Sequence, residues 1–279
     1  MAFQVLLFVA AVFLQSANSA DPNKPGAVLS GGKAIVIQNY HLLKSKSNII
    51  NMHEAYKMKE KYMRDCDALF KLGYTESGIY VIQPVDSPYL VVHCNMSYDC
   101  SGWTTFQRNT RNSEMTWTEA WTSFKYGFGN IEGDHYLGNH YMQLITRHKW
   151  YKMRVVLDKD DDQKYAEYSS MKLEAENYNL KLGAFKGGAT DALSSSVNMV
   201  DNMGFSAKDM DNDNSRQNCA DKYGGGFWFN TCDPAMPTVQ LNQRGRIYWG
   251  DFCDDCRHVT MIVKPVDMYC RPEDWPMEE

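Results

Sequence analysis

No segment of this chain is apolar for long enough to cross a bilayer. The N-terminal run Val5–Leu14 has ten residues, whereas a membrane helix needs about 20. Neither sign of charge is in large excess. Lys and Arg total 29 against 34 Asp and Glu, for a net charge of -5. That balance argues against nucleic-acid binding or attachment to an anionic membrane through bulk charge. Catalytic signatures are missing too: there is no GxSxG elbow, no HExxH, no Walker A and no GxGxxG. The seven His, at 41, 53, 93, 135, 140, 148 and 258, show no zinc-ligand spacing and no neighbouring nucleophile pattern. The expectation is a protein that is not an enzyme. No internal repeat or low-complexity tract is present.

What the chain does have is an ordinary globular composition with many aromatics. Of 279 residues, 44% are apolar and 13% are Phe, Trp or Tyr, with 19 Gly and eight Cys. The apolar run at Val5–Leu14 is followed by Ser16-Ala17-Asn18-Ser19-Ala20, the pattern of a cleaved secretory signal over 1–20. A secreted chain makes disulfides the default state of its cysteines. It also makes Asn95-Met96-Ser97 a glycan acceptor motif.

Beyond the signal, residues 21–46 carry Pro22, Pro25, Gly26, Gly31 and Gly32 and read as a flexible lead. Leu42, Ile49, Tyr56, Met63 and Phe70 recur every seven residues, and His53–Lys71 is rich in helix formers. A short helical segment is expected over 47–64. The complementary heptad positions Ser45, Met52, Lys59 and Cys66 are only half apolar, so one amphipathic helix fits better than a coiled coil. If the segment does associate, residues 42–70 become an oligomerisation device. From Cys66 the texture changes to short strand-like runs such as Gly78–Ile82 and Tyr89–Val92, separated by Gly, Asn, Asp and Pro. Tyr151–Leu157 and Lys164–Tyr168 alternate, with Asp158–Asp162 as a hairpin tip. Thr116–Phe124 reads as a short helix with a Thr cap. The globular domain spans 65–265, its last third long and loop-rich, and 266–279 is a tail.

Asp209, Asp211 and Asp213 stand at alternate positions in Asp-Met-Asp-Asn-Asp. Their mutual repulsion is relieved by a hard cation with six to eight oxygen ligands, and calcium is the extracellular choice. An EF-hand is excluded, because Asn214 and Ala220 stand where its Gly and Glu belong. On spacing alone a calcium loop and a solvated acidic turn both remain open. Cys219 and Cys232 bracket a compact segment holding Phe227, Trp228 and Phe229. A bridge across so short a loop is worth about 3 kcal/mol, and it would fix those aromatics as pocket walls or as core. Cys253-Asp-Asp-Cys256 has CxxC spacing, which in a secreted chain reads as structural.

Several motifs then fall in order. They are Arg64-Asp65-Cys66 with Ser77–Tyr80, Val92–Met96, Gly102–Arg108, Gly127–Gly133 with Leu137-Gly138-Asn139, Phe205-Ser206 through Cys219-Ala220, and Tyr248-Trp249 with Met261–Pro265. Over about Arg64–Pro265 the chain resembles the fibrinogen C-terminal (fibrinogen-related) domain family. The resemblance implies an α+β fold with a twisted antiparallel sheet and a loop-rich C-terminal binding subdomain. It implies bridges Cys66–Cys94 and Cys219–Cys232. It also implies Ca2+ held by Asp211 and Asp213 and by the carbonyls of Ser215 and Gln217, with Asp209 nearby. Family members are binders and not enzymes. Ficolins and tachylectins recognise acetylated glycans beside the second bridge, whereas angiopoietin-like and hepassocin-like members bind protein receptors.

The expected role is therefore a secreted, extracellular, lectin-like defence protein, with receptor signalling and a matrix role as rivals. The pocket would be formed by Phe227, Trp228, Phe229, Thr231, Cys232, Asp233 and Arg244. Here the sequence departs from the family: Cys232-Asp233-Pro234 replaces Cys-His-Ala, and Arg244 stands where fibrin chains have an acid, which disfavours a cationic knob. Cys100, Cys253, Cys256 and Cys270 are additional, and pair among themselves or between chains.

Overall fold

Alternation of apolar and polar residues sets the strands, and the chain's final strand locks them together. The computed structural model describes residues 26–30, 33–44, 63–98, 101–160, 162–194, 199–232, 239–241 and 246–266. Strands β1 (Gly26–Ser30) and β2 (Lys33–Ile37) form a hairpin, and a 3₁₀ turn (Tyr40–Leu42) follows. Next come α1 (Cys66–Phe70), β3 (Gly78–Ile82), β4 (Leu90–Asn95) and β5 (Trp103–Thr110). The middle holds α2 (Trp121–Tyr126), β6 (Phe128–Gly129), β7 (His135–Tyr136) and α3 (Asn139–Thr146). The chain continues through β8 (Tyr151–Lys159), β9 (Asp162–Glu174), β10 (Asn179–Leu182) and β11 (Phe185–Gly187). It ends, among the described residues, with α4 (Cys219–Tyr223), β12 (Val239–Gln240), β13 (Tyr248–Trp249) and β14 (His258–Pro265).

The main sheet runs β10-β9-β8-β14-β5-β4-β3, antiparallel at every step. Strand β14 sits between β8 and β5, so both its edges are paired. Val259, Met261 and Val263 point into the main core, while Ile262 joins Trp103 and Val156 on the other face. Residues buried on both faces give the near-continuous apolar run Val259–Val263, which a one-sided strand would not tolerate. The α+β class and the twisted antiparallel sheet agree with the expectation.

Helix α1 is short and tied at both ends. Asp65 caps it by accepting the Ala68 N–H at 2.8 Å, and Cys66 is bridged to Cys94 on β4. Gly102 passes so close that an added Cβ would lie 2.7 Å from the Asp67 backbone, and its φ is +85°. Asp67 is buried and pairs with Lys264 on β14 at 3.3 Å and with Lys71 at 2.9 Å. Burial lowers the Lys264 pKa, while Asp67 opposes that shift.

Two expectations need correction. The lead over 21–46 is structured where it is described. It forms the β1–β2 hairpin, and Asn39 then docks on β4, donating to the Val91 carbonyl and accepting the Val91 N–H, both at 2.8 Å. Of the helix expected over 47–64, only Met63 and Arg64 are described, and neither is helical. Residues 47–62 lie outside the described residues; the first described α-helix begins at Cys66, where Asp65 supplies the cap. The Thr116–Phe124 helix starts at Trp121 instead, because its first N–H is taken by Asp209 from a distant loop. The signal over 1–20 and the tail beyond Val266 lie outside the described residues.

Candidate functional site

The acidic loop is hung between two short backbone pairings. Ser206 and Phe227 exchange N–H···O bonds of 2.9 and 3.1 Å, and Asn214 donates its N–H to the Asn230 carbonyl at 2.8 Å. Side chains tighten the same frame. The Ser206 hydroxyl accepts the Asn212 N–H at 2.9 Å, and the Asn212 amide donates to the Phe205 carbonyl at 2.7 Å. Gly226 allows the two segments to approach. A Cβ there would lie 2.5 Å from the Phe124 ring.

Within this frame the three aspartates take different positions. Asp213 is half-buried and fully engaged: Oδ1 accepts the Ser215 N–H at 2.8 Å and Oδ2 accepts the Cys219 N–H at 2.9 Å. Asp211 is exposed and accepts the Asp213 N–H at 3.3 Å. Burial raises the Asp213 pKa against those two N–H bonds, and the Asp211 charge raises it further. Two carboxylates held this close are destabilised until a cation joins them. Asp209 points elsewhere, its Oδ1 accepting the Trp121 N–H at 2.6 Å and so capping α2.

Cys219 and Cys232 are bridged. Their sulfurs and an Asp213 oxygen lie within 4.8 Å of one another, but sulfurs joined to each other offer no thiolate, so this corner is not a soft-metal site. Asn218 caps α4 by accepting the Ala220 and Asp221 N–H groups. Lys222 Nζ donates to the Cys232 carbonyl at 2.7 Å, and the Ser215 hydroxyl accepts the Cys232 N–H at 3.1 Å. The bridge, α4 and the acidic loop thus form one hydrogen-bonded unit. Lys222, Asn218 and Asn230 were not singled out in the sequence. Asn218 alone had a readable signal, as an Asn immediately before a helix.

The aromatic trio requires correction. Phe227, Trp228 and Phe229 are 4%, 1% and 7% exposed, so they form core and not pocket wall. Trp228 donates its indole N–H to the Tyr178 carbonyl at 2.8 Å and packs edge-on against Phe205 at 5.0 Å. Phe205 lies 4.9 Å from Phe124, which continues the cluster to α2. Thr231 is at the surface beside the buried Cys232. Asp233 and Arg244 lie outside the described residues. Asn95 ends β4 in an Asx turn, its side-chain oxygen accepting the Ser97 and Tyr98 N–H groups at 3.0 and 3.3 Å. Cys253 and Cys256 are bridged to each other, while Cys100 and Cys270 lie outside the described residues.

With this geometry in place, comparison with known proteins decides the family. Residues 62–266 match the family described as fibrinogen beta and gamma chains, C-terminal globular domain. The chain belongs to the fibrinogen C-terminal domain family. It is 41% identical over 218 residues to a fibrinogen-like protein 1-like protein of Gallus gallus, an alignment covering 76% of this chain and 71% of that one. It is 31% identical over 251 residues to angiopoietin-1 of Bos taurus, covering 82% of this chain but 50% of the relative. This member of the family thus spans about half the length of that angiopoietin. Among solved structures, the fibrinogen-like globe domain of human ANGPTL2 superposes with a TM-score of 0.67 at 29% identity, covering 73% of this chain and 99% of that one. No helix among the described residues is long and apolar enough to cross a membrane.

Proposed function

We propose that this chain is a secreted, non-enzymatic recognition protein that binds a protein receptor through its loop-rich C-terminal subdomain, with calcium ordering the acidic loop. The observation that carries the reading is the burial of Phe227, Trp228 and Phe229 to 7% exposure or less. A sugar site needs exposed aromatic faces or a polar pocket, and this trio is committed to the core. A rigid, disulfide-held surface suits a protein partner, since little ordering cost is left to binding. The likeness to a fibrinogen-like protein and to an angiopoietin supports the same side.

The donor set fits calcium. Asp211 and Asp213 supply paired hard oxygens, and the carbonyls of Ser215 and Gln217 complete the family's ligand pattern. Bound there, calcium would supply charge neutralisation and no chemistry. Asp209 remains the cap of α2 and is not needed as a ligand.

The test is adhesion of the calcium-loaded protein to cells that bind it. Binding abolished by surface proteolysis, and unaffected by free N-acetylglucosamine, supports the receptor reading. Binding that survives proteolysis and is competed by the acetylated sugar, or retention on N-acetylglucosamine resin, overturns it in favour of the glycan.

A further inference from the structure

We infer that Asn95 carries an N-linked glycan, on the flank of the sheet away from the acidic loop. Asn95-Met96-Ser97 is the one Asn-x-Ser/Thr in the sequence, and its middle residue is not Pro, as the acceptor motif requires. The inference rests on the secretory passage in the reading above, because the glycan donor is met there. The Cys66–Cys94 bridge ends one residue before Asn95, and such bridges form in that same oxidising compartment.

The turn presents the atom to be modified. Asn95 is the last residue of β4 and lies opposite Trp103 on β5. Its Oδ1 accepts the Ser97 N–H at 3.0 Å and the Tyr98 N–H at 3.3 Å. Between them, Met96 is buried in the core, and its N–H donates to the Ser77 hydroxyl at 2.8 Å. That hydroxyl also lies 3.1 Å from the hydroxyl of Ser97, which is exposed. The Asn95 amide thus spends its oxygen on the turn, while Nδ2 donates to no described residue and stays open to solvent. A glycan replaces one Nδ2 hydrogen and leaves Oδ1 untouched. The modified side chain keeps both of its turn bonds, and the fold accommodates it without repacking.

The donor is a lipid-pyrophosphate-linked oligosaccharide of the secretory pathway. The Asn95 amide nitrogen bonds to the anomeric carbon of the first sugar. The bond from that carbon to the pyrophosphate oxygen breaks, the lipid pyrophosphate leaves, and the nitrogen gives up one proton. Nothing is oxidised or reduced. Placement follows from the strand order. Five ladder steps separate β4 from β10, a span of about 24 Å at about 4.8 Å per step. The frame of the acidic loop hangs at the β10 end, where the Leu180 N–H donates to the Met203 carbonyl at 3.0 Å and Trp228 to the Tyr178 carbonyl at 2.8 Å. A bulky, hydrated glycan on β4 covers the far flank and leaves the loop clear for calcium and a receptor.

The test is expression of the full chain in cells that attach N-glycans, followed by mapping of protein taken from the medium. The protein is reduced, cut with Asp-N, and then treated with peptide-N-glycosidase in heavy-oxygen water. The expected product is peptide 86–98 with Asn95 converted to Asp and carrying the heavy oxygen. Ser97→Ala and Asn95→Asp should each abolish the glycan. Asn95→Asp keeps the side-chain oxygen that the turn uses, so it should fold, and its melting response to calcium should match the parent's. Protein in the medium with Asn95 unmodified overturns the inference and leaves the recognition reading standing. So does a glycan that survives either substitution. A calcium response altered by loss of the glycan overturns its placement. Protein that stays in the cytosol with Asn95 unmodified overturns the secretory reading along with the glycan.

Discussion

Asp213 Oδ2 accepts the backbone N–H of Cys219 at 2.9 Å, which ties the acidic loop to the first residue of α4 and to the Cys219–Cys232 bridge. The carboxylate that would hold calcium is therefore also a structural cap. Its two roles separate by mutation. Asp213→Ala should destabilise the protein by about 1–2 kcal/mol even in EDTA, since two N–H groups lose their acceptor. It should also lose the calcium-dependent rise in melting temperature. An EDTA melting curve that matches the parent would refute the cap.

Asp211 has no comparable structural duty, and its charge raises the Asp213 pKa after burial does. An acid with a raised folded pKa loses stability as pH rises from about 3.8 through that pKa, and the loss persists above it. Asp211→Asn should ease this penalty, melting at or slightly above the parent in EDTA at pH 7 and gaining nothing from calcium. A variant that still gains several degrees from calcium would remove Asp211 from the ligand set.

Burial holds the His93 and His135 imidazoles down to about 4; His135 adds to the effect on His93, and Arg108 lowers both. The folded protein keeps them neutral where the unfolded chain protonates near 6.5. Stability is thus full above about pH 6.5 and falls as pH drops toward 4. Each imidazole accounts for up to about 3 kcal/mol, less when the two are counted together. Urea midpoints measured between pH 7 and 4.5 check this, and His135→Gln should flatten the decline. A midpoint that does not move across that range would count against it.

Gly226→Ala drives a methyl into the Phe124 ring at 2.5 Å. Overpacking of this kind costs about 1–3 kcal/mol. Because Gly226 precedes the buried trio, the variant should also weaken calcium binding, read by titration calorimetry at a temperature where it is folded.

Among the described residues, Lys264→Met leaves the buried Asp67 with Lys71 as its remaining ion-pair partner, and removes the Lys264 donor from the Ser101 carbonyl. A loss of about 3 kcal/mol is expected. The double variant Lys264→Met/Asp67→Leu should recover part of it, and failure to recover would place the cost in packing and not in the unpaired charge.

Much of this was legible in the sequence. Alternation in Tyr151–Leu157 and Lys164–Tyr168 gave β8 and β9, and the carboxylates between them gave the hairpin tip. Alternate aspartates marked the acidic loop. The bridges Cys66–Cys94 and Cys219–Cys232 came with the family motifs, not from spacing. The remainder depended on partners far along the chain. Phe227-Trp228-Phe229 has no periodicity, so nothing local says that Tyr178 and Phe205 will enclose it. Asp209 looked like a ligand because its partner, the Trp121 N–H, lies 88 residues away. The lead looked flexible because the acceptor and donor that hold Asn39 lie 52 residues on.

That last contact bears on where the protein can be cut. Strand β4 meets β5 only from His93 to Asn95. Its first half, on that side, is satisfied by Gln38, which donates to the Tyr89 carbonyl at 2.9 Å, and by the Asn39 side chain on Val91. The family match begins at residue 62, so a fragment trimmed to that boundary would bare the Tyr89 carbonyl and the Val91 N–H and carbonyl as a row along the strand. Such a row is a template for another chain. The segment before the recognised domain is thus a plug in its sheet, and a shortened protein invites aggregation at that seam.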